Sequence, residues 1–158
     1  MSVQRKVAFG LLAVVLLSLG YIHLKGPDQL VMKFDFEGRP LHWASRAEFI
    51  GFHLLFLGFT NGLILGIQRI FGRDPALTWI NIPNKAHWTK AENAQEALKR
   101  LRILLDGVLI FVNSLTLGTL AVTAGRASPI LVNAFVLGSS LGVGVLLVWI
   151  YRLFATRK

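Results

Sequence analysis

The sequence contains no cysteine, which excludes disulfides, thiolate metal sites and cysteine-based catalysis. It also lacks a glycine-rich phosphate loop, a nucleophile elbow and a recognisable pair of catalytic carboxylates. The four histidines do not have metal-ligand spacing, and a site that joined His42 and His53 would need a further ligand. We therefore expect no enzymatic activity, no cofactor and no bound metal.

Acidic residues are scarce: eight Asp and Glu stand against 17 Lys and Arg, for a net charge of +9. In nucleic-acid-binding proteins such an excess gathers on one face. Here the basic residues flank long uncharged runs, as they do in membrane proteins, whose cytoplasmic loops are rich in Lys and Arg. With 54% hydrophobic residues, this pattern indicates an integral membrane protein embedded in a lipid bilayer, with no nucleic-acid partner.

Four apolar runs are long enough to cross a bilayer, and they cover residues 7–24, 49–67, 103–124 and 130–153. Each is close to the ~20 residues that a hydrocarbon core of ~30 Å requires. The runs lack the alternation of barrel strands, so we predict an all-α integral membrane protein with one four-helix transmembrane domain over 1–158. A cleaved signal peptide, cut near Ser18 and Gly20, is the alternative for the first run, although its length favours a retained helix.

The connectors between the runs differ in charge, and this difference predicts an orientation. The first connector, 25–48, has four basic and four acidic residues, whereas the second, 69–102, has seven basic and three acidic residues and nets +4. Both termini are also basic. The bias of Lys and Arg toward the cytoplasm therefore predicts cytoplasmic termini, a cytoplasmic second connector and an outer first connector.

The first connector alternates apolar and polar residues from Pro27 to Trp43 around a turn at Gly38. This pattern predicts a short extracytoplasmic β-hairpin-like cap on the helices. Strand geometry divides its first half into two faces. One face contains Val31, Lys33 and Asp35, and the face expected to cap the bundle contains Met32, Phe34 and Phe36.

The second connector changes character at Thr89, where Thr89 and Glu92 have the spacing of a capping box. Apolar residues then recur at helical spacing, which predicts a cytoplasmic amphipathic helix over Ala91 to Arg102 that continues into the third run.

Asp106 is the only carboxylate within the four runs. Charges inside a bilayer are costly, and they usually face a partner or water. One interpretation is an interfacial residue that pairs with Arg102, one helical turn earlier. The other is a buried intramembrane polar cluster with Asn113, joined by Asn61 or Asn133 from a facing helix.

Glycine recurs at every fourth position along the second run, at Gly58, Gly62 and Gly66. Small residues at this spacing let helices approach closely in lipid. The stripe therefore predicts a helix-packing face, used either within the chain or in a homo-oligomer.

Two loop motifs resemble those of a bacterial membrane-protein family of largely unknown function, whose domain also forms the N-terminal part of SdpI-type immunity proteins. The outer motif matches or is similar at Phe34, Asp35, Gly38, Pro40, Trp43, Ser45 and Arg46. The inner motif, similar to a Leu-Pro-Asn-Lys-x-Tyr-Trp segment, contains Asn81, Pro83, Asn84, Lys85 and Trp88. The chain departs from the family at Lys33, usually His, and at Leu41, often Asp.

The resemblance implies a small non-enzymatic protein of the bacterial cytoplasmic (inner) membrane, connected with toxin immunity, signalling or envelope stress. We expect the outer hairpin and the inner connector to recognise a partner, either a peptide toxin or another membrane protein. One alternative is an accessory subunit of a larger membrane complex, held through the glycine stripe. Another is a transporter or proton-coupled protein that uses Asp106.

Overall fold

The computed structural model describes residues 2–35, 37–73, 83–124 and 129–155. Its long helices are α1 (Val3–Lys25), α2 (Arg46–Phe71), α4 (Ala91–Ala124) and α5 (Pro129–Ala155). Each contains a segment long and apolar enough to span a membrane. The antiparallel strands β1 (Gln29–Phe34) and β2 (Pro40–Ser45) form a hairpin between α1 and α2, and the short α3 (Lys85–Trp88) precedes α4. The four predicted apolar helices and the hairpin are thus confirmed.

The amphipathic segment and the third apolar run form one continuous helix of 34 residues, as predicted. The capping box predicted at Thr89 is wrong, because the Thr89 hydroxyl donates to the carbonyl of Lys85 at 3.0 Å and completes the turn of α3. A capping box forms at the start of α2 instead. There the Ser45 side chain accepts from the Glu48 N–H at 3.3 Å, and the Glu48 carboxylate accepts from the Ser45 N–H at 2.8 Å.

The helices alternate in direction, so the bundle has two distinct ends. The hairpin end carries β1 and β2, and the opposite end, here named the basic end, holds the start of α1 and α4 and the end of α2 and α5. Helix α4 is central, because it packs against each of the other three long helices. Helix α5 lies at the edge, and between Asn133 and Arg152 none of its described residues is buried.

An apolar core attaches the hairpin to the bundle. Leu30 and Ala44, which are paired across the two strands, are both buried in this core. They pack with three α1 residues, two α2 residues and one α4 residue: Val15, Leu19, Ile22, Phe49, Leu57 and Leu120. The hairpin is therefore held as a fixed cap by packing.

The simple two-face division predicted for β1 is wrong for the described residues, which do not include Phe36. Leu30 and Val31 are neighbours and both are buried, which strict alternation does not allow. The strand register shifts between Val31 and Lys33 and again between Lys33 and Phe34. Such an irregularity turns the strand locally and redirects its side chains.

Glycines permit close packing between α4 and α5. A Cβ at Gly107 of α4 would lie 2.7 Å from the Trp149 ring, and one at Gly142 of α5 would lie 2.8 Å from the Phe111 ring. These glycines let aromatic rings seat directly on the facing helix. By contrast, a Cβ at each position of the predicted stripe would meet no described atom within 4 Å: Gly58, Gly62 and Gly66. No described residue covers that stripe.

Candidate functional site

A cavity of about 790 Å³ lies beneath the hairpin, between β1, β2, α2, α4 and α5. We call it the hairpin cavity. Its volume falls within the ~300–1,000 Å³ of typical small-ligand pockets. Most of the lining is apolar or aromatic and is contributed by Val31, Met32, Phe34, Leu41, Phe49, Phe52, Phe56, Leu115, Val122 and Phe135. The hairpin therefore covers a largely apolar cavity.

Three polar side chains of the cavity wall turn their donors toward their own helices. The His53 Nδ1 lies 2.8 Å from the Phe49 carbonyl oxygen. The hydroxyls of Thr116 and Thr119 each donate at 3.0 Å to a carbonyl four residues earlier. Because a ring nitrogen facing a carbonyl must donate, Nε2 is an acceptor when the His53 ring is neutral. These side chains thus offer acceptors, and no further donor, to a ligand.

The open side of the cavity is aromatic. The rings of Phe52 and Phe56 stack with centroids 6.3 Å apart, and Phe52 remains 54% exposed. Lys33, exposed on the hairpin, and Asn133, exposed on α5, add polar groups to the lining. An occupant would meet an apolar interior with polar groups on two sides.

Three residues of the outer motif build the turn of the hairpin. The Asp35 carboxylate accepts from the N–H groups of Glu37 and Arg39 at 2.9 and 2.8 Å. Gly38 adopts a φ of 80°, a conformation that L side chains rarely adopt. Pro40 opens β2 opposite Phe34. These contacts give Asp35, Gly38 and Pro40 a structural role in the turn, and Asp35 also lines the hairpin cavity.

The other outer-motif residues occupy different places. Phe34 lines the hairpin cavity, whereas Trp43 pairs with Val31 and is 53% exposed. Arg46 links two helices, because it donates to the His23 and Gly26 carbonyls at the end of α1 at 3.1 and 3.0 Å. Its guanidinium also pairs with Asp28 at 2.7 Å.

The inner motif ties the chain to the end of α5. The Trp88 indole N–H donates to the Phe154 carbonyl at 3.0 Å, and the Asn84 amide donates to the Ala155 carbonyl at 3.1 Å. The last carbonyls of a helix have no partner within it, so these two side chains cap α5. Lys85 is the first residue of α3 and Pro83 precedes it, while Asn81 lies outside the described residues.

Asp106 is fully buried at the basic end and accepts four hydrogen bonds. Ser2 donates at 2.8 Å, Arg5 donates from Nε at 3.1 Å and from Nη2 at 2.9 Å, and Gln68 donates at 3.0 Å. Arg5 also donates to the Gln68 side-chain oxygen. The ion-pair partner is therefore Arg5 of α1 rather than Arg102, and the cluster joins α1, α2 and α4.

A second polar contact lies deeper in the bundle. The amides of Asn61 and Asn113 exchange hydrogen bonds of 3.1 and 3.3 Å, and Asn113 also donates to the Ala8 carbonyl at 3.1 Å. The structure brings these two predicted residues together. Asp106 belongs to the separate cluster at the basic end, and Asn133 lies at the hairpin cavity.

Sequence reasoning did not assign His53, Thr116 and Thr119 to a site. They lie on two helices far apart in sequence, and the only signal was a histidine inside an apolar run. Within the described ranges, no three His, Asp or Glu side chains are grouped so that they could hold a metal ion. Comparisons of the chain with protein-family models, curated proteins and solved structures found no match.

Proposed function

We propose that this chain is a non-enzymatic, multi-pass protein of the bacterial inner membrane that binds an apolar or amphipathic peptide segment in the hairpin cavity. The observation that carries the proposal is the cavity itself, about 790 Å³ of mostly apolar space under a hairpin that the core holds in place. A cavity of this size and composition is the default binding site of a protein.

The polar groups of the wall favour a peptide over a bare hydrocarbon chain. His53, Thr116 and Thr119 have committed their donors to backbone carbonyls and retain acceptors. A peptide segment supplies both apolar side chains and N–H donors, so it matches the interior and the acceptors together. A hydrocarbon chain has no donor for these acceptors, whereas a peptide N–H can pair with them.

The charge distribution supports an outward-facing hairpin end. The connector that forms the hairpin nets zero charge, whereas the connector at the basic end nets +4. Because cytoplasmic loops are rich in Lys and Arg, this difference favours a cytoplasmic basic end with both termini inside. The cavity would then be presented to extracytoplasmic peptides, such as the peptide toxin that the loop motifs suggest.

Site-directed photo-crosslinking in native membranes tests this proposal. Phe52→benzoylphenylalanine places the probe on the cavity wall, and we expect it to crosslink to a discrete polypeptide. Phe59→benzoylphenylalanine is the control, because Phe59 is on the same helix, is 69% exposed and does not line the cavity. Crosslinks to lipid alone from both positions would overturn the peptide assignment.

A cavity-filling variant tests whether the crosslink arises from binding in the hairpin cavity. Thr119→Phe should remove it, because the added ring occupies the wall of the cavity. Thr60→Phe is the matched control: Thr60 donates to a carbonyl four residues earlier, as Thr119 does, but lies outside the cavity. Equal loss of the crosslink in the two variants would contradict binding in the cavity.

A further inference from the structure

A second cavity, of about 610 Å³, lies at the basic end, at the opposite end of the bundle from the hairpin cavity. Four arginines line it: Arg5 from α1, Arg69 from α2, Arg73 just after α2, and Arg102 from α4. We call it the arginine pocket. Three segments distant in sequence thus place guanidinium groups around one space, which is the arrangement of an anion site.

Most of the positive charge in the arginine pocket has no acidic partner among the described residues. Arg5 is paired with Asp106 at 2.9 Å. Arg69, Arg73 and Arg102 are exposed, and none has a carboxylate within 4.0 Å in the described part of the chain. Each keeps its positive charge, since arginine stays protonated in proteins.

The pocket also has an apolar side. Leu65 and Gly66 contribute to its wall, and a Cβ at Gly66 would meet no described atom within 4 Å. They belong to the last turns of α2, which is apolar enough to span a membrane. A ligand in this pocket would therefore meet positive charge at one edge and the membrane-spanning surface of α2 at the other.

We infer that the arginine pocket binds the phosphate of an anionic phospholipid, with the acyl chains lying along α2. Guanidinium groups form paired hydrogen bonds with phosphate oxygens. Basic pockets between helices at a membrane surface have the chemistry to recognise anionic headgroups. A soluble phosphate ion would satisfy the arginines but would leave the apolar wall uncovered.

Native mass spectrometry of the full chain in a mild neutral detergent tests the inference. Phosphatidylglycerol and phosphatidylcholine with identical acyl chains are added in equal amounts. We expect the wild type to retain phosphatidylglycerol preferentially. The double variant Arg69→Gln/Arg73→Gln should lower that preference by about ten- to thirtyfold, given the contribution of each basic residue near an anionic surface. No preference in the wild type overturns the inference.

Two further experiments distinguish lipid binding in the pocket from attraction to general surface charge and from binding of free phosphate. Lys6→Gln/Lys99→Gln removes the same charge from the same end, outside the pocket, and should keep the preference. A loss equal to that of the arginine variant would show diffuse attraction and refute a defined site. Displacement of phosphatidylglycerol by millimolar inorganic phosphate or glycerol phosphate would refute the lipid assignment. Arg69→Lys/Arg73→Lys, which keeps the charge but not the paired geometry, should show an intermediate preference.

Discussion

Replacing Asp106 with asparagine should lower the free energy of unfolding by about 2 kcal/mol. Asparagine has nearly the same shape and keeps one carbonyl oxygen in place of Oδ1, which accepts from Arg5 and Gln68. The Ser2 hydroxyl can rotate to accept from the new amide. The variant thus keeps the hydrogen-bond pattern and removes only the negative charge.

The magnitude follows from the two bonds that Asp106 accepts from neutral donors, Ser2 and Gln68. A hydrogen bond to a charged group contributes about 1.5–3 kcal/mol, and a neutral one about 0.5–1.5 kcal/mol, so each of these bonds should lose about 1 kcal/mol. The Arg5 bonds remain charge-assisted, because the guanidinium keeps its charge. The full cost of breaking a buried ion pair, about 3–5 kcal/mol, does not apply, because the Arg5 side chain is 24% exposed and can regain some hydration.

The assay is unfolding of the purified protein in dodecylmaltoside by added sodium dodecyl sulfate, followed by far-UV circular dichroism. Glu96→Gln is the matched control, since Glu96 is on the same helix, is exposed and pairs with Arg100 at 3.2 Å. We expect that control to change the free energy of unfolding by less than about 0.5 kcal/mol. A double-mutant cycle with Arg5→Gln should show a coupling of about 1–2 kcal/mol.

Two outcomes would refute this reasoning. One is an Asp106→Asn variant as stable as the wild type within about 0.5 kcal/mol, the limit for neutral surface changes. The other is additivity of Asp106→Asn and Arg5→Gln, which would mean that the two side chains do not interact in the folded protein.

The same unfolding assay checks two further predictions. Gly107→Ala should destabilise the protein by about 1–3 kcal/mol, because its Cβ would lie 2.7 Å from the Trp149 ring. Gly62→Ala, in open space, should be neutral or slightly stabilising, and equal damage from both would contradict the packing argument. Trp88→Phe keeps the ring but loses the donor to the end of α5, and should cost about 1 kcal/mol. Trp43→Phe, at a half-exposed indole, should lower the free energy of unfolding by less than half as much. A larger loss from Trp43→Phe than from Trp88→Phe would refute the capping role of Trp88.

Hairpin and helix positions were predictable because they follow from local patterns. Apolar runs near membrane thickness specify helices whatever surrounds them. The turn around Gly38 was also predictable, since a φ of 80° requires glycine or a rare substitute. The side chains of β1 were not, because a register shift is decided by the packing of the hairpin on the bundle.

The candidate sites were predictable only in part. The sequence singled out Asp106 as a charge inside an apolar run. It did not identify Arg5 as the ion-pair partner, because Arg5 is about a hundred residues away. It offered the adjacent Arg102 as partner, since proximity along a helix is the only proximity a sequence displays. The loop motifs stood out as well, yet Asn84 and Trp88 make structural contacts. Part of the cavity lining, including Phe34 and Asp35, comes from the hairpin that the sequence singled out, whereas the rest comes from apolar runs without a distinguishing motif.

By itself, the sequence determined the composition of the bundle: four apolar helices, a neutral hairpin connector and a basic connector. These properties depend on the free energy of transferring side chains from water to an apolar medium. That free energy is roughly additive along the chain, so it can be read from the sequence. Only the tertiary structure decided which helices touch, that Arg5 neutralises Asp106, and that a cavity remains beneath the hairpin. Those features depend on contacts between distant residues and on the space they leave, and no local pattern records either.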